Sequence, residues 1–163
     1  MFELKPITKE GIPRALEKVE RYRLLNEPAE AESICRDILD IDTDHQKALV
    51  MLVLTLSDQF NNGTLAKEAT SLLKRLKDPY QQKYYQGIVL ERQAKAALNR
   101  RTPGCEHDAH EWLLEAMEAF ENAVPLRPTG NDDAILRWNA CVRTITRQKL
   151  SPRGKESEEP VLE

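Results

Sequence analysis

Apolar residues recur at helical spacing between regularly placed breakers. Ala31, Ile34, Cys35, Ile38 and Leu39 form one stripe, and Leu65, Ala69, Leu72, Leu73 and Leu76 a second. The clearest runs through Ala109, Trp112, Leu113, Ala116, Met117, Phe120 and Ala123. Each follows an i, i+3, i+4, i+7 pattern, which gathers the apolar groups on one helix face. Pro13, Pro28, Asn61-Asn62-Gly63, Pro79, Thr102-Pro103-Gly104, Pro128-Thr129-Gly130 and Ser151-Pro152-Arg153-Gly154 punctuate the chain. The pattern predicts an all-α chain of about seven helices, over roughly 10–26, 28–41, 44–60, 64–77, 79–101, 108–125 and 131–149.

Start signals support these bounds. Pro28 suits a first turn, where its missing N–H has no partner to lose. Asp42-Thr43-Asp44, Asp78 and Asp108 offer N-caps for the helices that follow them. Residues 48–56, Ala-Leu-Val-Met-Leu-Val-Leu-Thr-Leu, could form a strand by composition alone. No second strand exists to satisfy its backbone, so the run is expected to be a helix buried on most sides. Residues 1–9 read as a loose N-terminus. Residues 151–163 are polar, charged and broken by two prolines, and read as a flexible tail.

The 163-residue chain carries 24 basic and 27 acidic residues, a net charge of -3. That near-balance argues against a dedicated nucleic-acid binder, which shows a basic face. No stretch is apolar enough for a membrane span. The N-terminus lacks the basic start and apolar core of a signal peptide. Cys35, Cys105 and Cys141 are too few and scattered for a disulfide framework, so the expectation is reduced thiols and a cytoplasmic location.

Two segments share a spacing. Ala31, Cys35, Ile38 and Thr43 match Ala116, Phe120, Ala123 and Pro128 in a small–packing–packing–turn order. Here residues 10–149 resemble the tetratricopeptide repeat family. Ala116, Phe120, Ala123 and Pro128 fall on the family's Ala, aromatic, Ala and Pro positions. Tyr22 fits its first-helix aromatic, Asn26 stands where a turn Gly is common, and Gly87 takes the close-packing Gly. The departures are Trp138 at a Gly position and a unit of ~50 residues, 79–128, against the family's ~34. Three helix pairs and a terminal helix are expected, a divergent array similar in style to bacterial members.

The resemblance implies an antiparallel helix-pair solenoid, a right-handed α-α superhelix with a concave groove. It further implies a groove lined by Gln46, Leu49, Val53, Gln81, Tyr84, Ile88, Arg92, Asp132, Ile135, Asn139 and Arg143. Tyr, Arg, Asn and aliphatic groups suit a peptide surface, and the competing reading is packing against neighbouring helices. One variant of the family grips a C-terminal carboxylate with Lys, Asn and Arg. Leu16, Glu20, Val50, Gln81 and Tyr85 stand at those places, so this clamp is absent.

Other clusters carry weaker signals. Cys105-Glu106-His107-Asp108-Ala109-His110-Glu111 contains metal-ligand types, and His107 and Glu111 are one turn apart. No second cluster completes a site and His45 is distant, so a capped helix start is the plainer reading. Arg92, Lys95, Arg100 and Arg101 have Glu91, Glu106 and Asp108 for partners, as on a solvated face. Trp112 and Trp138 read as core anchors. The expectation is a non-catalytic protein–protein interaction module with no cofactor, binding a protein or peptide. A metal-binding protein or small metal-dependent enzyme using Cys105–Glu111 is the alternative, and a subunit that self-associates through its end helices is the third reading.

Overall fold

The apolar run that could have been a strand is the centre of the fold, and it is a helix. The computed structural model describes residues 1–62 and 65–154. Among these the regular elements are all helical: α1 Ile12–Leu24, α2 Pro28–Ile41, α3 Gln46–Ser57, α4 Leu65–Leu73, α5 Pro79–Arg100, α6 Cys105–Ala123 and α7 Asp133–Gln148. In α3 every residue from Ala48 to Val53 is buried, so it presents no polar face to solvent over that stretch. Its chain backbone is satisfied internally, which an unpaired strand could not achieve.

Local chemistry sets the boundaries. Asn26 adopts a left-handed φ of 58°. This lets the Glu27 N–H reach the Tyr22 carbonyl at 2.9 Å and the Asn26 N–H the Arg23 carbonyl at 3.0 Å. The pair of bonds closes α1 in a Schellman turn, with asparagine in the place glycine usually takes. Lys149 ends α7 the same way at φ 52°, and Leu150 folds back into the core.

Several starts and ends differ from expectation. α6 begins at Cys105 rather than 108, because Gly104 at φ 81° already turns the chain into the helix. Asp108 therefore lies inside the first turns and caps nothing. It pairs instead with Arg153 at 2.8 Å. α3 is capped not by the Asp42–Asp44 segment but by His45, whose Nδ1 accepts from the Ala48 N–H at 3.1 Å. α4 stops at Leu73, and the chain to Leu76 tightens into i→i−3 bonds. Asp78 does cap α5, accepting from the Tyr80 N–H at 2.9 Å.

Each helix packs on its successor, and α1 touches α3, α3 touches α5, and α5 touches α7. One buried cluster joins α1–α5 through Val19, Cys35, Leu49, Leu56, Leu76 and Val89. A second joins α5–α7 through Ile88, Ala109, Leu113, Phe120, Cys141 and Leu150. Leu54 and Tyr85 pack against both, so the core continues through the α3–α5 seam. A small third cluster, Ile12, Leu16, Ile38 and Ala48, seals the α1 end, with Ile7 lying on it. The N-terminal segment is thus partly docked, although Met1, Phe2 and Leu4 stay exposed. At the far end Ser151–Gly154 lies beside α6 through Arg153. The remainder of the expected tail, 155–163, lies outside the described residues.

The tightest packing is between α5 and α6. A Cβ placed on Gly87 would lie 2.4 Å from Cε1 of Phe120. Only a residue without a side chain lets the aromatic ring seat there.

Candidate functional site

α5 is one exposed-to-buried gradient wound around a helix, and its intermediate face borders a groove. Tyr84, Tyr85, Ile88, Glu91, Arg92 and Lys95 fall at i, i+1, i+4, i+7, i+8 and i+11, the spacing that keeps them along one side. Leu54 of α3 closes one flank, and Asp133 and Arg137 of α7 close the other, around a cavity of about 330 Å³.

Ion pairs tie together the helices around this cavity. Arg23 of α1 donates from Nε to Oδ2 of Asp58 at 2.8 Å and from Nη2 to Oδ1 at 3.3 Å. Arg92 donates from Nη1 to the same Oδ1 at 2.6 Å. Asp58, just beyond α3, thereby links α1 and α5. Glu91 is buried, accepts from Arg137 of α7 and forms an ion pair with Lys95 at 3.6 Å. α1, α3, α5 and α7 are in this way connected by carboxylates that each serve two cations. Hydrogen bonding to Glu91 holds the Arg137 guanidinium even more firmly protonated than usual.

The aromatic part is built around Tyr84. Its ring stacks on Tyr80 at 5.6 Å, meets Tyr85 edge-on at 5.0 Å and leans on Phe120 at 5.9 Å. Burial, followed by the charge of Asp133, pushes the Tyr84 phenol up to about 12. The same two causes raise Tyr85. Both remain neutral hydroxyl donors at any ordinary pH.

The eleven residues assigned to the groove from sequence separate into groups. Tyr84, Ile88 and Arg92 line the cavity. Leu49 and Val53 have no exposed surface and belong to the core, so neither can touch a visiting chain. The reason is that α3 has helices on every side. Gln46 is used as a strut: its amide donates to the carbonyls of Asp44 and Arg75, and its Oε1 accepts from the Lys77 N–H at 2.9 Å. Gln81 is half-buried on the first turn of α5, away from the cavity lining. On α7 the assigned Asp132, Ile135, Asn139 and Arg143 also lie off the cavity, and Asp133 and Arg137 face it instead. The helix is rotated from the expected register. Asp132 sits 3.6 Å from Arg127, Ile135 and Asn139 are half-buried, and Arg143 is exposed.

Leu54, Tyr85, Glu91, Lys95, Asp133 and Arg137 complete the lining and were not assigned from sequence. Extending the Tyr84–Ile88–Arg92 stripe to Glu91 and Lys95 would have found two of them.

The Cys105–Glu111 segment is occupied by structural contacts. Cys105 is buried in the first turn of α6. His107 Nδ1 lies 3.0 Å from the Ser151 carbonyl oxygen, and Asp108 holds Arg153. His45 is engaged as a cap. Among the described residues no group of three or more His, Cys, Asp or Glu side chains converges to hold a metal ion. Trp138 Nε1 donates to Glu121 at 2.9 Å, bracing α7 on α6, and Trp112 packs against the second core cluster. No helix of the described residues is long and apolar enough to cross a membrane.

No known protein family, curated protein or solved structure matches the chain.

Proposed function

We propose that residues 10–149 form a tetratricopeptide-like stack of helix pairs, and that the groove between α3, α5 and α7 receives a peptide segment of a partner protein. The chain performs no chemistry of its own in this reading. The side-by-side contacts of α1, α3, α5 and α7 support it, since first helices of successive pairs line one face of such a stack. The fit of Gly87 against Phe120 supports the pairing of α5 with α6 as one such hairpin.

The observation that carries the reading is the groove itself. It combines two tyrosines, an aliphatic floor at Ile88 and Leu54, and three cationic groups, already held in place by packing and ion pairs. Groups fixed in advance lose little freedom on binding, so more of the contact energy appears as affinity. Tyr and Arg are also the side chains that most often anchor protein interfaces.

Selection from a random peptide library displayed on phage tests this. Immobilised protein is expected to enrich peptides that lose binding to Lys95→Trp. That substitution fills the groove from an exposed rim position and leaves Glu91 its Arg137 partner. Circular dichroism should be unchanged in the variant. Failure to enrich peptides, or enriched peptides that bind Lys95→Trp equally well, would contradict the proposal.

A further inference from the structure

We infer that the groove selects acidic peptide segments, an inference that rests on the interaction reading above. The chain as a whole is acidic, with a net charge of -3, yet its groove presents cations. Beside the cavity Asp58 is 19% exposed, whereas Arg92, which it holds at the cavity edge, is 33% exposed. Glu91 is only 3% exposed, whereas Arg137 and Lys95 above it are 35% and 50% exposed. Glu91 lies deep in the lining, and the Arg92, Lys95 and Arg137 side chains stand more open to solvent. Along the α5 side an approaching chain therefore meets these cations rather than Glu91.

The charge count agrees with this geometry. Among the residues that line the cavity three cations, Arg92, Lys95 and Arg137, stand against two acids, Glu91 and Asp133, which leaves +1 where the whole chain is negative. Asp133 is the exposed acid among them, and it lies at the α7 end of the cavity. The cations also keep donors to spare. Among the described residues Arg92 donates only from Nη1, to Asp58, and Lys95 holds Glu91 only at the long distance of 3.6 Å. A guanidinium carries five N–H groups and an ammonium three, so both can serve a second carboxylate. Tyr84 and Tyr85 add neutral hydroxyl donors that do not repel an acid. A basic segment would meet like charge at these cations, which disfavours it through both encounter rate and contact.

Fluorescence anisotropy with three labelled peptides tests the inference: one alternating Glu and Leu, one with Gln in place of Glu, and one with Lys. The Glu–Leu peptide is expected to bind ~tenfold more tightly than the Gln–Leu peptide at low salt, from two or three screened charge pairs. Added salt should narrow the gap, and the double variant Arg92→Gln, Lys95→Gln should abolish it. Asp58 keeps Arg23 and Glu91 keeps Arg137 in that variant, so the fold is retained. Gln–Leu or Lys–Leu binding as tightly as Glu–Leu would overturn the inference, as would an acid preference that survives in the double variant. If the neutral peptide binds equally well and is lost with Lys95→Trp, charge selection fails and the groove reading stands. If no peptide of any charge binds, the groove reading fails with it.

Discussion

Replacing Gly87 by valine is expected to lower the melting temperature by roughly 6–12 °C, a loss of about 3 kcal/mol in a chain of this size. The cause is steric. A Cβ at position 87 would fall 2.4, 2.6 and 2.7 Å from three ring atoms of Phe120, which is itself fully buried. The ring is enclosed by the core, and Tyr84, one turn before Gly87 on the same helix, also packs against it at 5.9 Å. α5 and α6 must then separate, and the alanines between them lose contact. Phe120→Leu in the same chain should recover part of the loss, since a smaller side chain frees the space and the two positions are coupled. Thermal melting followed by circular dichroism checks both variants. An unchanged melting curve for Gly87→Val would contradict the α5–α6 packing.

Raising the pH from 9 to 12 is expected to cost several kcal/mol of stability, at ~1.4 kcal/mol per unit of separation between folded and unfolded titration. Cys35 and Cys141 are both fully buried. Burial pushes each thiol from 9.0 up to about 12. Tyr84 moves from 10.0 to about 12. All three are raised, so the folded state holds protons that the unfolded chain has already released. Their stabilising contribution is complete below pH 9 and is lost as the pH climbs towards 12. Urea midpoints at three alkaline pH values measure the slope. A Cys35→Ala, Cys141→Ala variant should show a flatter dependence, whatever its stability at neutral pH. A slope identical to that of the parent chain would show that the thiols are not the cause.

The fold class was legible because helical periodicity is a local property. The stripe Ala109–Ala123 repeats over four turns, and one face of α6 must be apolar for it to pack at all. Helix ends were less legible where side chains outside the standard set acted. His45 capping α3 depends on a single rotamer that periodicity does not report.

The groove was half legible, and the failures have one physical origin. Tyr84, Ile88 and Arg92 came from α5, whose stripe is read along a single helix. Leu49 and Val53 were misplaced because α3 is apolar all round, so its sequence holds no phase to say which side faces a neighbour. The α7 residues were misplaced by a rotation of the helix about its axis, which is fixed by Arg137 reaching Glu91, 46 positions away. Asp58 was invisible for the same reason: its two arginine partners lie 35 and 34 positions off in opposite directions. Pairings of that range belong to the stacking of helices and leave no trace in local spacing.

Amide chemical-shift mapping shows which face of the protein receives a peptide. Isotope-labelled protein is titrated with a library-selected peptide, and the perturbed residues are located. The shifts are expected to concentrate at Tyr84, Tyr85, Arg92, Lys95 and Arg137 along the α5–α7 seam. Shifts that instead cluster on α2, α4 or the N-terminal segment, with the groove residues silent, would contradict the groove reading.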